Sequence, residues 1–242
     1  MLWVNHLPKA WTPLQAYGKA GYTVATSDTP NGPFTVVTSA AALSEGSAGD
    51  ADVFVDSNGT DAYIVYNGWY NSHTLSVEKL NESFTDSLGK EFNSGYVGPH
   101  KMEAPAMFKR NGYYYMLYGH TCCFCKEGSG AHVQVSEHPL GPWTDTGMEL
   151  NAGPKHFWQR DYAIKGQNSQ VIRVAQANGE TGYVFVSDLW SSAADNLKSH
   201  DLQFWQLLQF DDSVTPATIS ALEWRDTCEL DLPASTDELI QV

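Results

Sequence analysis

The chain has 242 residues, of which 28 are acidic and 14 are basic, so its formal net charge at pH 7 is −14. This charge excludes the basic surface that nucleic-acid binding requires. Apolar residues make up 42% of the sequence and aromatic residues 12%, which is a globular and not a disordered composition. No stretch approaches the ~18 consecutive apolar residues of a membrane span. We therefore expect neither a nucleic-acid partner nor a membrane partner.

The first residues have the pattern of a β-strand that starts directly at the beginning of the sequence. Met1–His6 lacks the basic segment, apolar run and cleavage site of a signal peptide. No polar linker divides the sequence that follows. We expect a single domain over residues 1–242 that opens abruptly or is a fragment.

Short alternating or aromatic runs, bounded by Gly, Pro, Asn and Asp, recur along the chain, whereas helical periodicity is almost absent. Such runs are typical of many short β-strands. They occupy residues 22–26, 62–66, 113–118, 132–135, 171–174, 183–186 and 202–208.

Two patterns repeat among these strands. The first places a turn between an apolar and an aromatic strand, at Asn58–Gly59, at Asn111–Gly112 and more loosely at Asn178–Gly179. Asn-Gly favours a type I′ hairpin turn, which needs φ > 0 at both central residues. The second pattern, a strand followed by x-Pro-x-Gly-Pro-aromatic, covers residues 24–34 and 133–143. Repeated units of about four strands are typical of β-propeller blades.

We predict an all-β chain with about four propeller blades. The alternative all-β architecture, a sandwich, is disfavoured by the repeats. The predicted blades cover residues 1–40, 48–88, 102–150 and 166–212, and a last strand is expected near Leu222–Trp224.

Polar residues stand just ahead of the first strand of three predicted blades. Asp50 and Asp52 precede one, Glu103 precedes the next, and the run 167–170 precedes the last. Inner strands converge on a propeller axis, so these side chains would share one pocket. Carboxylates gathered in a partly dry pocket raise one another's pKa, which can keep one protonated for glycosidic bond cleavage. Taken singly, each residue fits a turn or a cap better than a catalytic role.

Two segments resemble a known enzyme family. Residues 103–115 (Glu-Ala-Pro-Ala-Met-Phe-Lys-Arg-Asn-Gly-Tyr-Tyr-Tyr) resemble the E-A-P-x-hydrophobic-x-K-x-x-G-x-Y-Y signature of glycoside hydrolase family 43. Residues 49–59 are similar to the family's D-x-x-L-F-x-D-x-D-G segment. The pattern is most like the branch that contains exo-β-1,3-galactanases. The resemblance implies a five-bladed β-propeller, of which this chain would lack the first blade.

The resemblance also implies roles for the catalytic residues. Glu103 would be the general acid, and Asp50 would orient it and raise its pKa, with Asp52 as the competing residue. The usual base is an Asp of the first blade, for which this sequence has no match. A Gln takes the base position in the galactanase branch, which makes Gln170 the candidate and Gln167 the fallback. Gln170 could equally hold the water or bind a sugar hydroxyl.

The implied reaction is inverting, with the acid and base groups roughly 6.5–9.5 Å apart. Residues near the pocket are candidates for substrate binding, and for the aromatic ones ordinary packing is an equal alternative. The polar candidates are Asp52, Gln167 and Asn168, and the aromatic candidates are Trp69, Tyr70, Trp158 and Trp190.

Four cysteines, Cys122, Cys123, Cys125 and Cys228, favour a disulfide or buried thiols over zinc, because the spacing of the first three is not that of a zinc site. We expect no metal site and no required cofactor; some relatives hold a calcium ion on the axis, which nothing in this sequence demands. N-glycosylation sequons at Asn58 and Asn81 are compatible with a secreted, extracellular protein.

Three functions remain open from the sequence. The first is an exo-acting glycosidase on β-1,3-galactan or a related plant or algal polysaccharide. The second is an arabinofuranosidase or xylosidase of the same family. The third is a non-catalytic carbohydrate-binding propeller. In each case we expect a monomer whose partner is a polysaccharide or an oligosaccharide.

Overall fold

The computed structural model describes residues 1–7, 18–69, 72–122, 126–153 and 161–233. In that part of the chain, sixteen β-strands and two short 3₁₀ helices form four successive antiparallel sheets and one terminal strand pair. No helix there is long and apolar enough to cross a bilayer.

The first two sheets, called blade A and blade B, each follow the order of the chain. Blade A consists of β1 (Leu2–His6), β2 (Gly21–Thr26) and β3 (Thr35–Thr38). Blade B consists of β4 (Ala48–Val55), β5 (Ala62–Gly68), β6 (Thr74–Lys79) and β7 (Asn93–Val97), with a 3₁₀ helix at Lys90–Phe92 before β7.

The next two sheets, blade C and blade D, repeat this arrangement. Blade C consists of β8 (Met102–Arg110), β9 (Tyr113–His120), β10 (His132–Ser136) and β11 (Thr144–Glu149). Blade D consists of β12 (Gln167–Ala175), β13 (Thr181–Asp188) and β14 (Gln203–Leu207), with a 3₁₀ helix at Lys198–His200 before β14. The terminal pair is β15 (Phe210–Asp211) and β16 (Thr218–Ile219).

The first strand of each blade contacts the first strand of the next one, in the order β1, β4, β8 and β12. The sheets therefore succeed one another around an axis lined by their first strands, as the blades of a propeller do. This confirms the prediction of an all-β chain with about four blades. Blade B extends to Val97, beyond the predicted limit at residue 88. The strand expected at Leu222–Trp224 was wrong, because this segment pairs with no strand and Leu222 instead donates its N–H to Leu150 O at 2.7 Å.

The hydrophobic core lies between adjacent blades. All seven residues of β5 are buried, as expected for a strand covered on both faces. Large side chains fill the spaces between blades: Tyr22, Ile64 and Tyr66 between A and B; Val65, Met107 and Met116 between B and C; Phe108, Tyr115 and Phe185 between C and D.

The Asn-Gly turns differ from one another. Asn111 and Gly112 have φ values of 49° and 85°, which confirms the predicted positive φ at both positions. At Asn58–Gly59 the prediction was wrong, because only Gly59 has a positive φ, of 71°. The turn is wider there, and Asn58 Oδ1 accepts the backbone N–H of Asp61 at 3.0 Å.

An ion pair joins blade B to blade C at the end opposite Asp50. Lys109 Nζ lies 2.8 Å from Asp56 Oδ1, and Tyr114 Oη donates to Asp56 Oδ2 at 2.5 Å. Burial acts to raise the pKa of Asp56, but the hydrogen bonds from Lys109 and Tyr114 outweigh it and hold the pKa at about 2. The Asp56 carboxylate is therefore ionised in the folded protein at neutral pH and pairs there with Lys109.

We expect Asp56→Asn to lower the free energy of unfolding by about 2 kcal/mol at pH 7, because Lys109 loses its charged partner. Since the pKa is depressed in the folded state, this stabilisation is present above pH ~4 and is lost as the pH falls through about 2. Urea titrations of both proteins between pH 7 and pH 2 measure it.

The control is Asp61→Asn in the same hairpin. Asp61 forms a half-exposed ion pair with Lys79 at 2.6 Å, so its loss should cost less than about 1 kcal/mol. Equal effects of the two substitutions would contradict the role given to Asp56.

Candidate active site

Three inner strands are bulged at the positions where the sequence predicts functional residues. The bulges lie between Ala48 and Ala51 in β4, between Glu103 and Ala106 in β8, and between Asn168 and Gln170 in β12. A bulge interrupts a strand's pairing and re-aims its side chains, and it accommodates Pro105 inside β8. The irregular backbone therefore turns these residues towards neighbouring blades.

Glu103 lies at the centre of this region, with 2% of its surface exposed. Its Oε1 accepts the backbone N–H of Cys122 at 2.6 Å and the side-chain N–H of Gln167 at 2.9 Å. Burial, with a smaller contribution from the nearby Asp50 carboxylate, raises the pKa of Glu103 to about 7 against the two hydrogen bonds, which act to lower it. The carboxyl group can therefore hold a proton near neutral pH.

Asp50 acts on the residue that follows the acid. Its Oδ2 accepts the N–H of Ala104 at 3.2 Å, and Asn168 Nδ2 donates to Ala104 O at 3.4 Å. Ala104 has φ = 53°, a left-handed conformation that costs about 1–2 kcal/mol for a residue with a side chain. Asp50 and Asn168 thus hydrogen-bond to the backbone N–H and C=O of the strained Ala104, next to Glu103.

The two aspartates of β4 face the bulged strand β8. Asp50 is exposed at a cavity wall, yet the protein packed around it raises the pKa of its carboxyl, against the effect of the Ala104 N–H. Asp52 is half-buried and accepts the N–H of Met107 at 2.9 Å; burial raises its pKa to about 6. Asp52 is ionised at neutral pH, and both side chains accept backbone N–H groups of β8, which links the two blades.

A cavity of about 530 Å³ opens between β1, β4 and β12. This volume falls in the range that is usual for small-ligand sites. Three of the predicted site residues, Asp50, Asp52 and Gln170, lie on its wall. The other lining residues are Leu2, Trp3, Asn5, Tyr22, Gly49, Ala51, Val53 and Ser169.

Gln167 and Gln170 occupy different environments. Gln170 is exposed on the cavity wall, beyond the bulge of β12. Gln167 is buried and hydrogen-bonded to Glu103, and its own Oε1 accepts the indole N–H of Trp190 at 2.8 Å. Gln167 is thus bound directly to Glu103, whereas Gln170 is open to the cavity.

Of the four aromatic candidates, the structure describes Trp69 and Trp190. Trp69 packs against β4: a Cβ added to Gly49 would lie 2.5 Å from the indole nitrogen, so the strand can approach this ring only at a glycine. The ring of Trp190 lies beneath Lys198 Nζ, which is 3.8 Å from its centroid. Tyr70 and Trp158 lie outside the described residues.

Among the cysteines, Cys122 is disulfide-bonded and Cys228 is a free thiol, whereas Cys123 and Cys125 lie outside the described residues. Within the described ranges, no three His, Cys, Asp or Glu side chains are grouped to hold a metal ion.

The sequence did not indicate two contributions to the site. One is the Cys122 N–H on Glu103, because a backbone donor leaves no signature in residue type. The other comes from blade A, where Asn5 Nδ2 donates to Ala48 O at 2.9 Å and Tyr22 Oη donates to Gly49 O.

Comparisons with known proteins decide the family. Residues 10–185 match the family model described as Glycosyl hydrolases family 43. The chain belongs to this family. An arabinoxylan arabinofuranohydrolase from Paenibacillus polymyxa is 29% identical to the family 43 chain over 179 residues, which are 62% of this chain and 26% of that protein. The chain thus spans about a quarter of this relative's length.

Solved structures share the fold. An exo-β-1,3-galactanase from Clostridium thermocellum, 1,3Gal43A, superposes with a TM-score of 0.65 and 24% identity, over 84% of this chain and 42% of that one. An exo-β-1,3-galactanase from Phanerochaete chrysosporium, solved with galactose, gives 0.62 and 20%, over 85% and 42%. At these identities the likeness establishes the family 43 propeller fold alone.

We expect Asp50→Asn to lower the pKa of Glu103, because the substitution removes a negative charge that disfavours ionisation of the acid. Carboxyl ¹³C NMR of protein labelled at glutamate would follow this titration without any substrate. Asp86→Asn, on the outer side of blade B, is the control and should leave the Glu103 titration in place. An unchanged Glu103 pKa in Asp50→Asn would refute the coupling.

Proposed function

We propose that this protein is an inverting glycosidase that releases sugar from the end of a β-1,3-galactan chain, with Glu103 as its general acid. The observation that carries the proposal is the buried Glu103 carboxyl, whose pKa is about 7, beside the Asp50 carboxylate. A general acid works best when its pKa lies near the working pH. An ordinary surface Glu would be almost fully ionised there and could not donate.

In the proposed reaction, Glu103 gives its proton to the glycosidic oxygen as the bond from that oxygen to the anomeric carbon breaks. A water molecule attacks the anomeric carbon from the opposite face of an oxocarbenium-like transition state, so the configuration inverts. The leaving sugar departs as a neutral alcohol, and the water loses one proton. Glu103 then regains a proton from solvent.

Gln170 takes the base position in this proposal. A neutral amide is a weak base, so its contribution is to hold the attacking water by hydrogen bonds. Asp52 lines the same cavity and is ionised above pH ~6, so its carboxylate can accept the proton that the water loses. Asp50 serves Glu103, through its charge and its hold on Ala104.

The cavity supplies groups that suit a hexose. Carboxylate and amide oxygens of Asp50, Asp52 and Gln170 can accept hydrogen bonds from sugar hydroxyls. The ring of Trp3, which packs edge-on against Tyr22, also lines the cavity and can contact the apolar face of a sugar. The fold similarity to exo-β-1,3-galactanases supports galactan as the substrate. A polymer of this kind does not cross membranes, which favours extracellular action.

Arabinofuranosidase activity is the second candidate. It is supported by the 29% identity to the arabinoxylan arabinofuranohydrolase. In that reaction Glu103 and the cavity would keep the same roles, and the sugar released would be arabinofuranose instead of galactose.

We expect Glu103→Gln to reduce turnover of β-1,3-galactan oligosaccharides roughly a hundredfold to ten-thousandfold, because the amide cannot protonate the leaving oxygen. Galactosides with a dinitrophenol leaving group need little protonation and should lose far less. Product release from both substrates measures the role of Glu103 as the acid. Arabinan and xylan oligosaccharides assayed in parallel show which sugar the protein cleaves.

The matched control is Glu91→Gln, an exposed glutamate of the 3₁₀ helix in blade B, which should behave as the unmodified protein. Full turnover by Glu103→Gln would exclude Glu103 as the acid. Sugar binding without turnover on any substrate would instead identify a carbohydrate-binding propeller.

The pH dependence follows from the same residue. Because Glu103 must be protonated to act, we expect kcat/KM to fall as the pH rises above about 7. A rate profile between pH 5 and pH 9 measures this limb. A profile that stays level to pH 9 would contradict the assignment.

A further inference from the structure

A chain of two hydrogen bonds connects a surface loop of blade D to Glu103. The indole Nε1–H of Trp190 donates to Gln167 Oε1 at 2.8 Å, and Gln167 Nε2 donates to Glu103 Oε1 at 2.9 Å. Gln167 exposes 8% of its surface and Glu103 exposes 2%. The chain is thus nearly shut off from water where it reaches the acid.

The direction of this chain is fixed by Trp190. An indole N–H can only donate a hydrogen bond, so the side-chain oxygen of Gln167 must face Trp190. The amide NH₂ of Gln167 is thereby turned towards Glu103. Without the indole, the two ends of the amide could exchange places.

Fixed donors on one oxygen of Glu103 decide where its proton resides. The Cys122 N–H, at 2.6 Å, and the Gln167 amide both point at Oε1. Neither group can accept a hydrogen bond through these atoms, so a proton on Oε1 would oppose two donors. The remaining oxygen, Oε2, must carry the proton when Glu103 is protonated.

The loop that carries Trp190 is itself closed by polar contacts. Lys198 Nζ lies over the indole ring and 3.3 Å from Asp201 Oδ2. Asp201 accepts the backbone N–H groups of Ser191 at 2.9 Å and of Ala193 at 3.0 Å. These contacts hold the indole in one position above Gln167.

We propose that Trp190 is a positioning residue for the general acid: acting through Gln167, it places the transferable proton on Glu103 Oε2. The inference rests on the proposed role of Glu103 and gives Trp190 a task other than stacking on sugar. Loss of the indole N–H therefore acts on proton donation and leaves sugar binding in place.

The decisive variant is Trp190→Phe, which keeps an aromatic ring beneath Lys198 and removes the N–H. We expect kcat on β-1,3-galactan oligosaccharides to fall about tenfold with KM unchanged, since one fixed hydrogen bond is lost. The alkaline limb of the rate profile should move to higher pH, because the Gln167 bond that favours the ionised acid weakens. Dinitrophenyl galactoside turnover should stay unchanged, as its leaving group needs no proton.

Gln167→Leu should reproduce these effects, and the double variant should be no worse than either single one. Trp205→Phe is the matched control, because its indole N–H also donates to a glutamine, Gln203 at 3.3 Å, away from the acid. It should match the unmodified protein in rate and pH profile.

The outcomes separate this inference from the proposed function. Turnover that survives Glu103→Gln removes the proposed function. Loss of turnover in Glu103→Gln, combined with a raised KM on both substrates in Trp190→Phe, keeps the function and overturns this inference in favour of sugar stacking. Carboxyl ¹³C NMR of Glu103 in Trp190→Phe gives a readout without substrate, and an unchanged titration would likewise overturn the inference.

Discussion

The exclusion of water from Glu103 is the constraint on which the rest of the site depends. A carboxylate withdrawn from water loses its hydration, so the neutral form becomes more stable relative to the ionised form and the pKa rises. Cys122 and Gln167 offset part of this cost by donating to one oxygen only. The group is thereby poised between its two protonation states near neutral pH, with a second oxygen left for the proton.

The aspartates of β4 and of the turn directly after it show how one segment serves both structure and chemistry. Asp50 and Asp52 accept backbone N–H groups of β8, and Asp56 pairs with the Lys109 ammonium group of the same strand. Burial raises the pKa of Asp52 to about 6 against its backbone donors, whereas the hydrogen bonds from Lys109 and Tyr114 outweigh burial at Asp56 and hold its pKa at about 2. The end near the cavity is therefore titratable, and the far end is a permanent ion pair.

Bulges at the inner strands make this arrangement possible. In a regular β-ladder, the backbone N–H and C=O groups of β8 would all be hydrogen-bonded to β9, and Glu103 would stay in the plane of its own blade. The bulge after Glu103 frees the N–H of Ala104 for Asp50, and the left-handed Ala104 is held from both sides. Backbone strain at functional sites is commonly maintained by such surrounding contacts.

The sequence by itself determined the blade repeats, the family resemblance and the placement of Asp50, Glu103 and Gln170 at the starts of inner strands, because strand alternation and turn residues are local signals. It ranked Gln170 above Gln167 only by resemblance to the family, since both lie in one short run of polar residues. Only the tertiary structure placed Gln167 on Glu103 and Gln170 on the cavity wall. The physical reason is that burial and hydrogen-bond direction arise where separate blades meet, and no local pattern encodes them.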